Sequence, residues 1–270
     1  MRIGICANMN STRDDGIGAE WIDIYKKAGY DYVELPLAQI MQLNDKEYGA
    51  LLTKLEQSGL KCQACNNFYP AHIKLIGEQF NSFDFLEYTK KAAERAKGLG
   101  AEIIVFGSAG ARNVPNNVDM NEAKKQLIDR LNIIGDIIKE NGIHIAIEHL
   151  NRTESNIINT FAEGLDIAKQ VGHPHIKCLI DYYHFTVGNE TVQSIKAGQG
   201  YIVHAHFAST LERYIATFEH NLEYSAFFKE LKECGLPGRI SIEAYSKNIE
   251  KEAEEGLGFL RGLLSRSGVI

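Results

Sequence analysis

The chain has 270 residues, of which 44% are hydrophobic and 24% charged, and its formal net charge is -6. This length suits one large domain or two small ones with a sizeable core. The acidic balance argues against a nucleic-acid partner, because such binders usually carry a basic face. No run approaches the roughly 18 apolar residues of a transmembrane helix, so no membrane partner is expected.

The first ten residues, MRIGICANMN, lack the long apolar core and small-residue cleavage site of a signal peptide. An odd number of scattered cysteines without an export signal indicates reduced thiols and a cytoplasmic protein. Cys62 and Cys65 form a C-x-x-C, but their odd spacing along a strand places them on opposite faces, and no second pair follows. The pattern therefore does not favour a redox or metal role for these thiols. The five cysteines are Cys6, Cys62, Cys65, Cys178 and Cys234.

Strand-like runs alternate with helix-length amphipathic segments from one end of the chain to the other. The predicted strands cover residues 2–7, 32–37, 60–66, 102–108, 143–149, 176–181, 201–207 and 239–244. The predicted helices start near Gly18, Asp45, Phe83, Met120, Phe161, Asn189, Leu222 and Lys247. Capping-box spacings support three starts, at Asn44 with Glu47, Asp119 with Glu122 and Thr160 with Glu163. Glycines at the C′ position are predicted at Gly29, Gly59, Gly100 and Gly142.

Eight strand–helix units without a linker predict a single (β/α)8 TIM barrel, with residues 1–270 as one catalytic domain. A doubly wound sheet is the competing fold. It would normally place a glycine-rich turn after its first strand, and CANMNSTRDDG is not one.

Barrel enzymes place their chemistry at the C-terminal ends of the strands. Because strand side chains alternate between faces, residue parity gives the inward residue at the end of each strand. For strands five to eight these residues are Glu148, Asp181, His206 and Glu243. Three carboxylates held together would raise each other's pKa, and a divalent cation removes that conflict. Oxygen ligands with one imidazole suit Mn²⁺, Mg²⁺, Co²⁺ or Zn²⁺, so the sequence predicts a metal site.

The same parity assigns deeper positions. In the seventh strand it points Ile202, His204 and His206 inward and Tyr201, Val203 and Ala205 outward. His204 lies a layer below His206 and is interpreted as structural. Further polar residues at the predicted strand ends and loops could bind hydroxyl groups: Glu34, Arg152, Glu154, His184 and Arg213. For Glu34, which parity places on the inner face, a structural role in the barrel is an equal alternative.

Five segments of the chain resemble a known family, the xylose-isomerase-like barrels of the sugar phosphate isomerase/epimerase type, and among them the tagatose 3-epimerase-like group. They are VFGSAGARNVP at 105–115, IEHLNRTESNIINT at 147–160, LIDYYH at 179–184, HAHFASTLER at 204–213 and ISIEAY at 240–245. The resemblance keeps the strand order and covers most of the chain. Two departures stand out: His149 replaces a proline of many relatives, and the loop after the seventh strand lacks their R-x-P-G turn.

The resemblance implies a metal-dependent epimerase or isomerase of ketoses or related polyols. Such an enzyme removes a proton next to a carbonyl through a metal-stabilised enediolate. It implies one divalent ion, Mn²⁺ before Mg²⁺, Co²⁺ or Zn²⁺, and a homodimer or homotetramer. The implied metal ligands are Glu148, Asp181, His206 and Glu243, the implied catalytic pair on opposite sides of the substrate carbon is Glu148 and Glu243, and the implied sugar contacts are Glu154, His184 and Arg213.

Three other functions remain as alternatives. A sugar or inosose dehydratase needs much the same metal and base. An apurinic-endonuclease-like hydrolase needs more metal ligands and a basic face, and a sugar-binding barrel needs no catalysis.

Overall fold

The computed structural model describes residues 1–218, 223–235 and 237–270. Within these residues eight parallel strands close into a barrel in sequence order, with β8 pairing back onto β1. The strands are β1 Arg2–Cys6, β2 Tyr32–Pro36, β3 Lys61–Asn66, β4 Ile103–Phe106, β5 His144–Ile147, β6 Ile176–Asp181, β7 Ile202–Phe207 and β8 Arg239–Ile242. The predicted (β/α)8 TIM-barrel fold is therefore confirmed. Among the helices of these residues, none combines the length and the apolar character needed to cross a membrane.

Helices pack around the barrel and also occupy several loops at its C-terminal face. They are α1 Ile22–Ala28, α2 Leu37–Ile40, α3 Asp45–Ser58, α4 Ser82–Leu99, α5 Ala109–Arg112, α6 Met120–Lys139, α7 Phe161–Val171, α8 Tyr182–Val187, α9 Glu223–Glu233 and α10 Ile249–Arg266. The predicted start near Leu222 lies outside the described residues. The helix predicted to start near Asn189 is a 3-10 helix at Val192–Gly198, which begins later because Asn189 adopts a left-handed φ of 53° after α8.

The predicted helix caps are largely present. Asn44 and Glu47 form a reciprocal capping box, and the side chains of Asp119 and Thr160 each accept a hydrogen bond from the first turn of their helix. Gly29, Gly59 and Gly100 occupy left-handed C-terminal positions, as predicted. The prediction for Gly142 is off by position. Helix α6 ends at Lys139 with Glu140 as its cap, and Gly142 lies two residues farther on.

A bulge in β3 overturns the prediction that Cys62 and Cys65 lie on opposite faces. Val33 pairs with Cys62 but Glu34 pairs with Ala64, so Gln63 is an extra residue in the ladder. A bulge moves the following side chains to the other face of the strand. Both thiols therefore point to the surrounding helices, with their sulfur atoms 3.9 Å apart. All five cysteines are buried free thiols.

A second bulge, in β7, corrects the predicted parity at the start of that strand. Cys178 pairs with Ile202 and Leu179 with His204, which leaves Val203 as the extra residue. Ile202 consequently packs in the outer core, whereas Val203 packs against the barrel interior. Beyond the bulge the prediction holds, because both His204 and His206 contact the inward carboxylate of Glu34.

The barrel interior is layered. Its apolar layer consists of Tyr32, Ala64, Ile103, Val105, Ala146 and Leu179. The polar groups, Glu34 among them, lie nearer the C-terminal ends of the strands. The larger hydrophobic core lies between the strands and the helices, so the apolar layer closes the barrel and leaves its C-terminal face for chemistry.

Candidate active site

Four side chains converge at the C-terminal ends of β5 to β8. Asp181 is the last residue of β6 and His206 lies in β7, while Glu148 and Glu243 directly follow β5 and β8. Each offers a ligand atom, and these atoms all lie within 4.8 Å of one another. His206 Nδ1 lies 3.2 Å from Glu148 Oε1 and 3.2 Å from Glu243 Oε2. The structure thus brings together the four residues that parity selected.

The cluster fits a divalent metal ion. Asp181 is 1% exposed, and its buried Oδ2 finds no hydrogen-bond partner within the described residues. A buried carboxylate oxygen without a partner is costly, and a cation among these four groups would satisfy it. Three carboxylates with one imidazole form a hard, oxygen-rich donor set of the kind that Mn²⁺ and Mg²⁺ accept.

Glu148 and Glu243 differ in their response to their surroundings. Burial, followed by the charge of Glu243, raises the pKa of Glu148. Burial alone would also raise the pKa of Glu243, but the guanidinium of Arg213 and the imidazole of His206 hold it well below its usual range. Arg213 and His206 therefore favour the ionised form of Glu243, whereas burial and the charge of Glu243 disfavour the ionised form of Glu148.

A fully buried carboxylate, Glu34, lies behind His206. Its Oε1 lies 3.0 Å from His206 Nε2, and its Oε2 lies 2.7 Å from His204 Nε2. Burial would raise the pKa of Glu34, but the imidazoles of His206 and His204 hold it well below its usual range. An ionised carboxylate only accepts hydrogen bonds, so both Nε2 atoms carry the protons. In neutral His206 the bare nitrogen is then Nδ1, the atom that faces the other three ligands.

The hydroxyl groups around Glu34 complete this arrangement. Ser241 Oγ donates to Glu34 Oε2 at 2.7 Å, so the phenol of Tyr32, 2.8 Å from the same Oγ, donates to Ser241. Cys6, Glu34 and His206 also lie close enough to hold an ion. Because Glu34 already accepts hydrogen bonds from three donors, Cys6 and Glu34 are better described as part of an outer hydrogen-bond shell that orients His206.

Arg112 in α5 fixes the backbone at the end of β5. Its guanidinium is fully buried and donates to the carbonyl oxygens of Phe106 at 2.6 Å and Glu148 at 2.8 Å. Burial lowers the pKa of Arg112 to about 10. The buried guanidinium of Arg112 therefore fixes the backbone from which the side chain of Glu148 projects.

Gly107 follows β4 and lies against the carboxylate of Glu148. A Cβ atom added at Gly107 would overlap Glu148 Oε2 and lie 3.4 Å from its Cδ. We expect Gly107→Ala to displace the Glu148 carboxylate and to weaken metal binding at least about tenfold, since changes that disturb the orientation of metal ligands cost about 10–100-fold in affinity. Titration calorimetry with Mn²⁺ measures this effect.

Gly49→Ala is the matched control, because nothing lies within 4 Å of an added Cβ there. Gly49 is inside α3, so alanine should raise the free energy of unfolding by about 0.5–1 kcal/mol and leave metal affinity unchanged. Equal metal affinity in both variants would show that Gly107 does not determine the position of Glu148.

The three predicted sugar contacts line the same region. Arg213 pairs with Glu243, and its Nη1 lies 3.5 Å from Glu154 Oε1. His184 is fully buried and its Nε2 lies 3.8 Å from Glu154 Oε2. Arg152 does not join them, because its guanidinium is directed to Asn159 Oδ1, to which it donates at 3.4 Å.

His149 lies beside the barrel wall rather than among the four ligands. Its buried ring packs edge-on against Phe161 and His184, at 6.3 Å from each ring centroid, and its Nε2 lies 3.3 Å from Glu190 Oε1. Burial lowers the pKa of His149 well below its usual range. His149 therefore packs between the end of the strand, α7 and α8.

Sequence reasoning assigned no functional role to Arg112, Asn151, Tyr32 and Ser241. Parity places Ser241 on the inward face of the eighth strand, and the same rule applied to the second strand would have placed Tyr32 there. No local signal distinguishes Arg112 from a surface arginine of a short helix, and Asn151 is noticeable only as one polar residue in a polar loop.

Comparisons with known proteins place the chain among related barrels. The model of the xylose isomerase-like TIM barrel family matches residues 22–263. An L-ribulose 3-epimerase of Methylomonas sp. (strain DH-1) is 26% identical over 229 residues, covering 83% of this chain and 77% of the relative. An inosose isomerase of Bacillus velezensis is 21% identical and covers 93% and 91%.

Solved structures agree on the fold. The crystal structure of D-psicose 3-epimerase with D-tagatose from Clostridium cellulolyticum H10 superposes with a TM-score of 0.85 at 18% identity, covering 98% of this chain and 99% of that one.

Proposed function

The chain belongs to the xylose isomerase-like TIM barrel family, and on that premise we propose that it is a divalent-metal-dependent epimerase or isomerase of ketoses or related polyols. The observation that carries the proposal is the convergence of Glu148, Asp181, His206 and Glu243 within 4.8 Å at the C-terminal face of the barrel. The ketose epimerase among its relatives supports the substrate class.

The proposed metal ligands are Glu148, Asp181, His206 and Glu243. A bound divalent cation supplies positive charge that stabilises the negative charge developing on substrate oxygens when a proton leaves the neighbouring carbon. The buried Asp181 Oδ2, which has no hydrogen-bond partner within the described residues, supports this assignment.

The proposed proton-transfer residues are Glu148 and Glu243. Each carboxylate lies 3.2 Å from the same nitrogen of His206, so both border one small region of space. One takes the proton from the carbon next to the carbonyl, and the other returns a proton from the opposite face, which inverts that carbon. For a 2-ketose this carbon is carbon 3.

The proposed sugar contacts are Glu154, His184 and Arg213. The Glu154 carboxylate accepts hydrogen bonds from sugar hydroxyl groups, while His184 and Arg213 donate hydrogen bonds to substrate oxygens. His184 is fully buried and Arg213 pairs with Glu243 at its side chain. These contacts fix the sugar beside the two carboxyl groups and exclude water from the reacting carbon.

Four finer assignments belong to the same proposal. The ion is Mn²⁺, the protein is cytoplasmic, it acts as a homodimer or homotetramer, and residues 1–270 form one catalytic domain. The oxygen-rich ligand set supports Mn²⁺, and the five free thiols support a reducing compartment.

The test is solvent-deuterium uptake by the Mn²⁺-loaded protein with a panel of ketoses. We expect one deuterium at the epimerised carbon, loss of at least about a hundredfold in rate after chelation, and recovery when Mn²⁺ is restored. A product that has lost water would identify a dehydratase instead. If the protein binds metal but catalyses neither proton exchange nor water loss, the result would indicate a sugar-binding barrel.

A further inference from the structure

Asn151 lies directly beside His184 in the loop that follows β5. Asn151 is 4% exposed, and its backbone N–H donates to His184 Nδ1 at 3.2 Å. Its side-chain Nδ2 lies 3.1 Å from the same nitrogen. Two donors thus face His184 Nδ1.

The orientation of the Asn151 amide is fixed by its other contacts. Its Oδ1 accepts from the backbone N–H of Thr153 at 2.9 Å, and its Nδ2 donates to Glu154 Oε1 at 2.9 Å. An exchange of oxygen and nitrogen would place two donors, and separately two acceptors, against each other. The NH₂ group therefore faces both His184 and Glu154.

A nitrogen that accepts a hydrogen bond carries no proton, so neutral His184 must carry its proton on Nε2. That Nε2 is buried and finds no hydrogen-bond partner in the part of the chain that the structure describes. It lies 3.8 Å from Glu154 Oε2. The free Nε2–H and the Glu154 carboxylate form a donor beside an acceptor, which suits adjacent oxygens of a polyol.

We propose that Asn151 is a positioning residue that fixes His184 as an Nε2–H donor and holds the Glu154 carboxylate next to it. The inference rests on the proposed function where it takes His184 and Glu154 as sugar contacts, but the tautomer of His184 is a property of the protein alone. Asn151 does not contact the substrate in this proposal; it acts through His184 and Glu154.

The primary experiment measures the His184 tautomer by ¹⁵N NMR of histidine-labelled protein at pH 8, without substrate. We expect the Nε2–H form in the native protein. In Asn151→Asp a carboxylate oxygen replaces the NH₂ donor, so we expect the population to shift towards the form protonated at Nδ1. A native protein with Nδ1 protonated would overturn the proposal.

Kinetics of the Mn²⁺-loaded variants provide the second readout. Asn151→Ala keeps the backbone donor and should retain the tautomer while raising KM about tenfold, because Glu154 loses its support. Asn151→Asp should lower kcat/KM by about a hundredfold or more. Asn121→Asp makes the same chemical change at an exposed position in the first turn of α6. It should change neither KM nor kcat/KM.

The outcomes separate the two proposals. If Asn151→Asp keeps the native tautomer and the kinetics of Asn121→Asp, the positioning role is wrong although epimerisation stands. If the tautomer behaves as expected but the native protein exchanges no substrate proton, the positioning role stands and the proposed function fails.

Discussion

Replacement of Glu243 by glutamine is expected to abolish epimerisation while the barrel remains folded. Glutamine is nearly isosteric, but it cannot take up a proton and it is a weaker ligand for a divalent ion. Loss of a general acid or base alone costs about 10²–10⁴-fold, so we expect kcat to fall by about a thousandfold or more at saturating Mn²⁺.

The fold should survive, although the change removes more attraction than repulsion, since Arg213 and His206 hold the pKa of Glu243 well below its usual range. Glu243 pairs with Arg213 but also belongs to a cluster with the carboxylates of Glu148 and Asp181. We expect the free energy of unfolding to change by no more than about 2 kcal/mol, the scale of one charge-assisted hydrogen bond. Chemical denaturation followed by circular dichroism measures it.

Glu254→Gln provides the matched control, since it makes the same change on the exposed surface of α10 and should leave turnover unaffected. A sharper comparison uses Glu148→Gln with both substrate epimers. If the two carboxyl groups act from opposite faces, the residual solvent exchange of the two variants should favour opposite epimers. Native turnover in Glu243→Gln would remove Glu243 from the mechanism.

Glu34→Gln is expected to weaken both metal binding and the fold, although Glu34 is not among the four proposed ligands. The amide presents an NH₂ donor within a pocket of donors from His204, His206 and Ser241. If it faces His206 Nε2, the proton moves to Nδ1, the atom that must stay bare to bind a metal ion. We expect Mn²⁺ affinity to fall about 10–100-fold, as for other outer-shell carboxylates.

The free energy of unfolding should fall in Glu34→Gln because the buried ring of His206 loses one of its negatively charged neighbours. The nearby carboxylates, first Glu34 and then Glu243, overcome the effect of burial and raise the pKa of His206 well above its usual range. Removal of one partner from a buried ion pair costs about 3–5 kcal/mol. Denaturant titration and Mn²⁺ calorimetry on the same preparation measure the two effects separately.

Ser241→Ala distinguishes a positioning role from a purely structural one. It removes a single donor to Glu34 Oε2 and leaves the charge in place, so it should cost about 1–2 kcal/mol of stability with unchanged Mn²⁺ affinity. An equal loss of metal affinity in both variants would mean that Glu34 supports the barrel without orienting His206.

Much of the fold was predictable because its signals are local. Strand alternation and the capping residues Asn44, Asp119 and Thr160 depend on a few neighbouring residues. The same period of two identified the inward end residues of β5 to β8, because parity holds near the ends of these strands and the bulge of β7 lies before His204 and His206.

The two errors in parity have one cause. Bulges at Gln63 and Val203 depend on the register between neighbouring strands, which the alternation within a single strand does not contain. The helix predicted to start near Asn189 differs for a related reason. Asn189 takes a left-handed conformation between α8 and the 3-10 helix at Val192–Gly198.

The sequence by itself thus determined the barrel class and which acids and histidine stand at the ends of β5 to β8. Only the tertiary structure decided what orients them and their neighbours: Glu34 against His206, 172 residues apart, Arg112 on the carbonyl of Glu148, and Asn151 on the nearby His184. Residue periodicity follows from backbone geometry over a few residues. The direction of a buried hydrogen bond is set by partners that only the folded chain brings together, because each buried donor must find an acceptor in three dimensions.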